Sequence, residues 1–207
     1  MTDSMRKPWL EPFDPTRHDA GRVAALIYDA DPEINGFVFG PREQAIGLIL
    51  ALMKTPGTYY AAPRLTCITS DGEVIGIVSG YPTKFQSVFE RRVGKAFLRA
   101  FGLAGFLCRL PIFLKLGRIL AKTRSNDGYY IVYLSILSTE RGKGYGSAAV
   151  LDLASAWETL YLHVATDNAA AIRFYEKNRF VALGARSGRI GKTMVGAFFM
   201  KRPSERK

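Results

Sequence analysis

Cysteine is scarce in this chain, with two in 207 residues, Cys67 and Cys108. They are far apart and neither sits in a motif beside a histidine. A disulfide framework and a metal site are therefore not expected. Such cysteine usage makes a reduced, cytoplasmic protein the default. No apolar run follows Met1, and Asp3 and Glu11 interrupt the start, so no secretory leader is expected. Internal repeats and low-complexity linkers are missing too. The length suits one domain, 1–207, with a sizeable core.

Acidic residues are also few, 18 against 29 Lys and Arg, for a net charge of +11. The shortage is local. Residues 84–124 hold ten basic residues and one acid, Glu90, or +9 of that +11. Val93, Ala96, Phe97, Ala100, Phe101 and Ala104 recur there at helical spacing. After Leu110-Pro111, Ile112, Phe113, Leu116, Ile119 and Leu120 lie opposite Lys115, Arg118 and Lys122. Two amphipathic basic helices follow from this pattern. Arg109, Lys115 and Arg118 interrupt the apolar run too often for a membrane-spanning helix. Three readings of the segment stand open: packing on the core with basic faces in water, a lid over a substrate groove, or contact with a membrane surface or partner. Nucleic acid is not expected as a partner, because the Phe and Leu residues keep the spacing of packing residues.

What the chain does have is Tyr129–Gly146, Y-Y-I-V-Y-L-S-I-L-S-T-E-R-G-K-G-Y-G. Its first nine residues have strand length and composition. A polar turn, Ser138 to Arg141, precedes Gly142, Gly144 and Gly146, and 147–157 reads as a helix. A strand, a glycine-rich turn and a helix start make an anion site, because the first N–H groups of a helix lack internal partners and carry its positive dipole end. Alternate glycines let the backbone approach a phosphate, and Arg141 adds a permanently charged donor. The Walker pattern fails, since no Ser or Thr follows Gly142-Lys143. A dinucleotide fingerprint matches at Gly144, Gly146 and Ala149, but the turn comes seven residues after Leu137 and no second βαβ half is evident.

The third possibility, R-x-x-G-x-G at Arg141, Gly144 and Gly146, resembles the pyrophosphate loop of the GCN5-related N-acetyltransferases (GNAT). Ser135-Ile136-Leu137 resembles the strand that runs beside pantetheine in that family. A second strand, Tyr161–Val164, is followed by Thr166 to Phe180, where Asn168 opens a helix and Phe174-Tyr175 lies within it, like the family's second motif. Arg179 departs from the pattern, which has Gly before Phe180. Asn178 is expected to take the left-handed conformation that ends such a helix.

Upstream, Trp9–Phe13 reads as an edge strand, Asp19–Asp29 as a helix ended by Asp31-Pro32, and Pro41–Met53 as a second helix. Leu65–Thr69 and Val74–Tyr81 form a hairpin around Asp71-Gly72. Asp29, Asp31 and Glu33 fall in the loop between the helices, where they could attract an amine or simply be solvated. Downstream, Val181–Leu183 and Thr193–Met200 read as closing strands, and 201–207 as a fraying tail. This order matches the layout of the family. The resemblance implies an α/β (α+β) GNAT fold, a mixed sheet of about six or seven strands flanked by helices, with 84–124 as a basic helical insertion before the central strand.

It further implies acetyl-CoA as co-substrate and an N-acyltransferase working by direct attack in a ternary complex. A non-catalytic acyl-CoA-binding module on the same fold is the alternative. The coenzyme would be held by Ser135, Ile136, Leu137, Arg141, Gly142, Lys143, Gly144, Tyr145, Gly146, Ser147, Asn168 and Tyr175. Tyr175 matches the family tyrosine that serves the departing thiolate. His163 occupies the strand position, five before Asn168, where some peptide-acetylating members carry a Glu base. The acceptor would be a small-molecule amine or a peptide, and the oligomeric state stays open.

Overall fold

In the computed structural model, residues 9–121 and 127–203 are described. The ends of two expected features, the insertion at 122–124 and the tail at 204–207, lie outside them. Seven strands form one mixed sheet in the order β1 (Trp9–Pro12), β2 (Leu65–Ser70), β3 (Glu73–Pro82), β4 (Gly128–Ile136), β5 (Thr159–Ala165), β7 (Thr193–Arg202) and β6 (Val181–Ile190). Helices α1 (Ala20–Ala30), α2 (Pro32–Phe39), α3 (Arg42–Met53), α4 (Gln86–Ile119), α5 (Tyr145–Ala156) and α6 (Ala169–Lys177) flank it. This is the fold the two motifs imply. Contacts gather the chain into two compact units, 1–79 with 133–151, and 80–132 with 152–207.

In the first unit, β1, β2 and β3 run antiparallel. The β2–β3 turn is Asp71-Gly72, with φ of 52° and 81°, the left-handed pair that a two-residue hairpin requires. Val23, Leu26 and Ile27 of α1 and Ala45, Ile49 and Leu52 of α3 are buried, along with Cys67, Ile68 and Ile77 of the sheet. Helix α2 is an addition to the sequence reading. Asp31 is both C-cap of α1 and N-cap of α2, where its Oδ1 accepts from the Ile34 N–H at 3.0 Å. Pro32 stops one helix and starts the next, because its fixed φ and missing N–H suit a first helical position. Asp29 makes a two-pronged ion pair with Arg42 at 2.9 and 2.8 Å. Asp31 and Glu33 are thus not in an open loop, and capping and ion pairing account for Asp31 and Asp29.

In the second unit, β4 pairs in parallel with β5 over Gly128–Tyr130, and β5 and β6 each pair antiparallel with β7. A row of rings runs through it: Phe89, Tyr81, Tyr130, His163, Phe199 and Tyr161, with successive centroids 5.0, 5.5, 5.9, 5.0 and 5.7 Å apart. Strand β6 extends to Ile190, well past the expected Leu183. It is the outer strand and its residues 181–187 are exposed on both faces, so no alternation of apolar residues marked it. Helix α4 breaks at Gly102 (φ 66°, ψ 171°), not at Leu110-Pro111, and Pro111 sits inside its second arm. Contacts of Phe113 with Phe97 and Phe101, at 5.4 and 6.3 Å, show the two arms folded back on each other. By length and composition Thr83–Ile119 does pass as a membrane span. The reversal at Gly102 denies it a straight path.

Candidate active site

Within the first unit, one glycine position sets how closely β3 and β4 approach. A Cβ on Gly76 would stand 2.7 Å from the Ser135 carbonyl oxygen. Leu137 continues the contact by donating its N–H to the Ile75 carbonyl at 2.8 Å. Backbone groups alternate sides along a strand, so Ile136 turns its N–H and carbonyl away from β3. The Leu137 N–H is therefore already engaged with β3. Of residues 135–137, Ile136 is the one whose N–H faces away from β3. The Ser135 side chain is buried, and its Oγ has no hydrogen-bond partner among the described residues.

After Ile136 the chain makes a 3₁₀ turn, Ser138–Glu140, and enters the glycine loop. The Arg141 Nε–H donates back to the Ile136 carbonyl at 3.0 Å, which ties the loop to the strand end. Lys143 Nζ pairs with Glu140 Oε2 at 3.0 Å. Gly142 and Gly144 take φ of 81° and 87°, and a Cβ on either would meet nothing within 4 Å. Their glycine requirement is thus conformational, and the space beside them is open to a ligand. Helix α5 starts at Tyr145. Its residue Ala149 packs in a cluster with Ile68 and Ile75, joined by Leu134, Ile136 and Tyr145, so the apolar core fixes the helix start against the strand. Gly142 to Ser147 consequently form a cradle of backbone donors at a helix N-terminus, the geometry that suits a pyrophosphate.

The second unit carries the other predicted residues. Asn168 caps α6, its Oδ1 accepting from the Ala171 N–H at 3.0 Å. Tyr175 is half-buried in the same helix, edge-on to Phe174 and Phe180 at 5.1 and 5.4 Å. Its hydroxyl makes no hydrogen bond among the described residues. Burial pushes the phenol well above its ordinary pKa, which keeps the proton on oxygen. His163 Nδ1 lies 2.8 Å from the Tyr130 hydroxyl, and the imidazole stacks on Phe199. Tyr130 was not identified in the sequence as its partner; only knowing the strand register could reveal it. Among the described residues no cluster of three or more His, Cys, Asp or Glu could hold a metal ion.

A chain with this sheet order, this glycine loop and this capped second helix belongs to the acetyltransferase (GNAT) family, whose pattern it matches over residues 3–180. Acyl transfer is the chemistry of that class. No curated protein matches the sequence significantly. Solved structures with the same fold include an N-acetyltransferase from Staphylococcus aureus Mu50, at 17% identity and TM-score 0.64, covering 92% of this chain and 99% of the other. A protein from Corynebacterium glutamicum, described as histone acetyltransferase HPA2 and related acetyltransferase, aligns at 19% identity and TM-score 0.60, covering 98% and 99%. A ribosomal-protein-alanine N-acetyltransferase from Brucella melitensis aligns at 14% identity and TM-score 0.54, covering 94% and 99%. At such identities these likenesses speak for the fold alone.

Proposed function

We propose that this protein is an acetyl-CoA-dependent N-acyltransferase that moves the acyl group to an amine by direct attack. The observation that carries the reading is the open cradle at Gly142 and Gly144, opening onto α5 and anchored by Arg141 to the end of β4. Acetyl-CoA would supply the acyl group as an activated thioester. The chain's own residues bind it and handle the protons. Loop N–H groups from Gly142 to Ser147 receive the pyrophosphate, with Arg141 and Lys143 adding positive charge. Ser135 to Leu137 run along the pantetheine arm, and the Ile136 N–H donates to the thioester carbonyl where negative charge develops. Asn168 offers its amide NH2 to the same arm.

The nitrogen–carbon bond forms as the carbon–sulfur bond breaks. His163 takes the proton of the amine. The contact of Nδ1 with the Tyr130 hydroxyl orients the ring, and an Nδ1–H donated to that hydroxyl would put the lone pair for the amine's proton on Nε2. Tyr175 gives a proton, or a hydrogen bond, to the departing sulfur; burial keeps its phenol protonated and so able to donate. Neither thiol favours a covalent acyl-enzyme. Burial pushes Cys67 up to about 12, and Cys108 lies on α4. An amine small molecule or a peptide is the acceptor class, and the cytoplasm the expected setting.

Calorimetry with acetyl-CoA tests the reading. Gly144→Glu puts a carboxylate and a side chain into the cradle at a φ of 87°. We expect acetyl-CoA binding to fall below detection, with Arg141→Ala giving a weaker loss without strain in the loop. Unchanged affinity in folded variants overturns the assignment. Thiol release against a panel of amines, polyamines and peptides then identifies the acceptor; no turnover with any of them, despite binding, favours a binding module.

A further inference from the structure

Helix α4 is anchored at its two ends and bare in the middle. Phe89, Val93, Ala96 and Phe97 are buried near its start, and Leu116 and Ile119 near its end. No residue from 98 to 115 is buried. That stretch is nonetheless apolar: an 18-residue window of the helix is hydrophobic enough for a bilayer, while only 6% of it is buried. The inner faces of the arms explain part of its composition. Phe113 meets Phe97 and Phe101 across the arms and Phe106 within its own arm, with the Arg109 guanidinium 4.6 Å from the Phe101 ring.

Four leucines take no part in that packing. Leu103, Leu107, Leu110 and Leu114 are 67, 53, 36 and 56% exposed. Their spacing of four, three and four puts them in one stripe along the second arm. Such a continuous exposed apolar stripe marks an interaction surface. Charge says what it meets. The helix carries seven basic residues and one acid. Lys115 and Arg118 follow the stripe around the arm on the side away from the phenylalanines, and Arg92, Lys95 and Arg99 form an exposed row on the first arm. Leucines bounded by Lys and Arg with almost no acid fit a surface that is apolar beneath and anionic on top, and long basic side chains can reach its headgroups.

We propose that the α4 hairpin docks the enzyme on an anionic lipid bilayer, with the leucine stripe in the interface and the basic residues on the headgroups. Length decides against crossing. The arm from 103 to 115 measures roughly 20 Å at the helical rise of ~1.5 Å per residue, short of the ~30 Å hydrocarbon core. The docking surface lies outside every residue assigned to acyl transfer, so it stands or falls independently of that chemistry.

Vesicle co-sedimentation of the full chain tests it. Wild type should pellet with vesicles of phosphatidylcholine and phosphatidylglycerol, and remain in solution with phosphatidylcholine alone. Rising salt should release it. Changing all four leucines, Leu103→Ser, Leu107→Ser, Leu110→Ser and Leu114→Ser, should abolish pelleting. Arg92→Gln, Lys95→Gln and Arg99→Gln should weaken it about fivefold per residue. This second variant leaves the leucines alone and tests the charge independently. Circular dichroism confirms that each variant is folded. Failure of wild type to bind any vesicle overturns the proposal, as does full binding by the leucine variant or equal binding to both vesicle types. A concentration-dependent dimer lost in the leucine variant, without vesicle binding, overturns it in favour of self-association.

Discussion

Arg179 illustrates what a single residue can hide. Its φ of 67° is in the left-handed region, whereas Asn178 stays at −92°. With no glycine before Phe180, Asn178 is the residue expected at the left-handed position. The helix instead continues one residue further: Asn178 donates its N–H to Phe174, its Nδ2 also reaches that carbonyl, and Arg179 donates its N–H to Glu176. A Cβ in this conformation costs about 1 kcal/mol or more. Arg179→Gly should therefore raise stability by about 1 kcal/mol, or ~2–4 °C in Tm for a domain of this size. A thermal melt that shows a lower Tm would mean that the Arg179 side chain contributes more than its backbone strain removes. Tyr175 poses the catalytic question at the same scale. Its phenol is packed by two Phe rings and kept protonated by burial. Tyr175→Phe retains that packing and removes only the hydroxyl, so the chemical step should slow by roughly a hundredfold, with acetyl-CoA affinity unchanged. Single-turnover rates equal to wild type would leave Tyr175 a packing residue.

At the scale of elements, legibility followed burial. Strand β4, the Asp71-Gly72 hairpin and the capped start of α6 were readable because each has a local chemical cause: a half-buried apolar run, a left-handed turn pair and an Asn N-cap. Strand β6 was cut short because an outer strand exposed on both faces has no burial pattern to write into sequence. Helix α2 does not show in the sequence because Asp31-Pro32 reads as the stop of α1, and only the structure shows Pro32 also starting a helix. In α4, Leu103, Leu107, Leu110 and Leu114 were in plain view, but sequence alone does not say whether an apolar stripe faces a core or water. The structure separates the two parts of that helix, and they should respond differently to deletion. Replacing 99–114 by a short Gly-Ser link removes no buried side chain, and should leave Tm within a few degrees and acetyl-CoA affinity intact. Replacing all of 86–119 also removes Phe89, Val93, Ala96, Phe97, Leu116 and Ile119. Losing burial of about 1.5–3 kcal/mol for each of the five large apolar side chains matches the ~5–15 kcal/mol that holds a domain together, so this variant should fail to fold. Soluble expression and cooperative melting of the second variant would refute this account of the helix base.

At the scale of the whole molecule, charge and ligand linkage can be read in one experiment. Nearly all of the net charge belongs to the insertion, so the remainder of the chain is close to neutral. A polyanionic coenzyme that bound the insertion by charge alone would mimic a site in calorimetry. Melting curves distinguish specific from diffuse binding. A ligand held by the native chain alone stabilises it by RT ln(1 + [L]/Kd), about 2.7 kcal/mol at a hundredfold excess over Kd. For a domain of this length that is an upward shift in Tm of roughly 5–10 °C. Acetyl-CoA bound in the loop should give this shift in wild type and in the four-leucine variant, and lose it in Gly144→Glu. Neutralising Arg92, Lys95 and Arg99 should change it little. If instead the shift vanishes with those three charges and survives Gly144→Glu, the coenzyme is held by the basic arms and the glycine loop is only a turn.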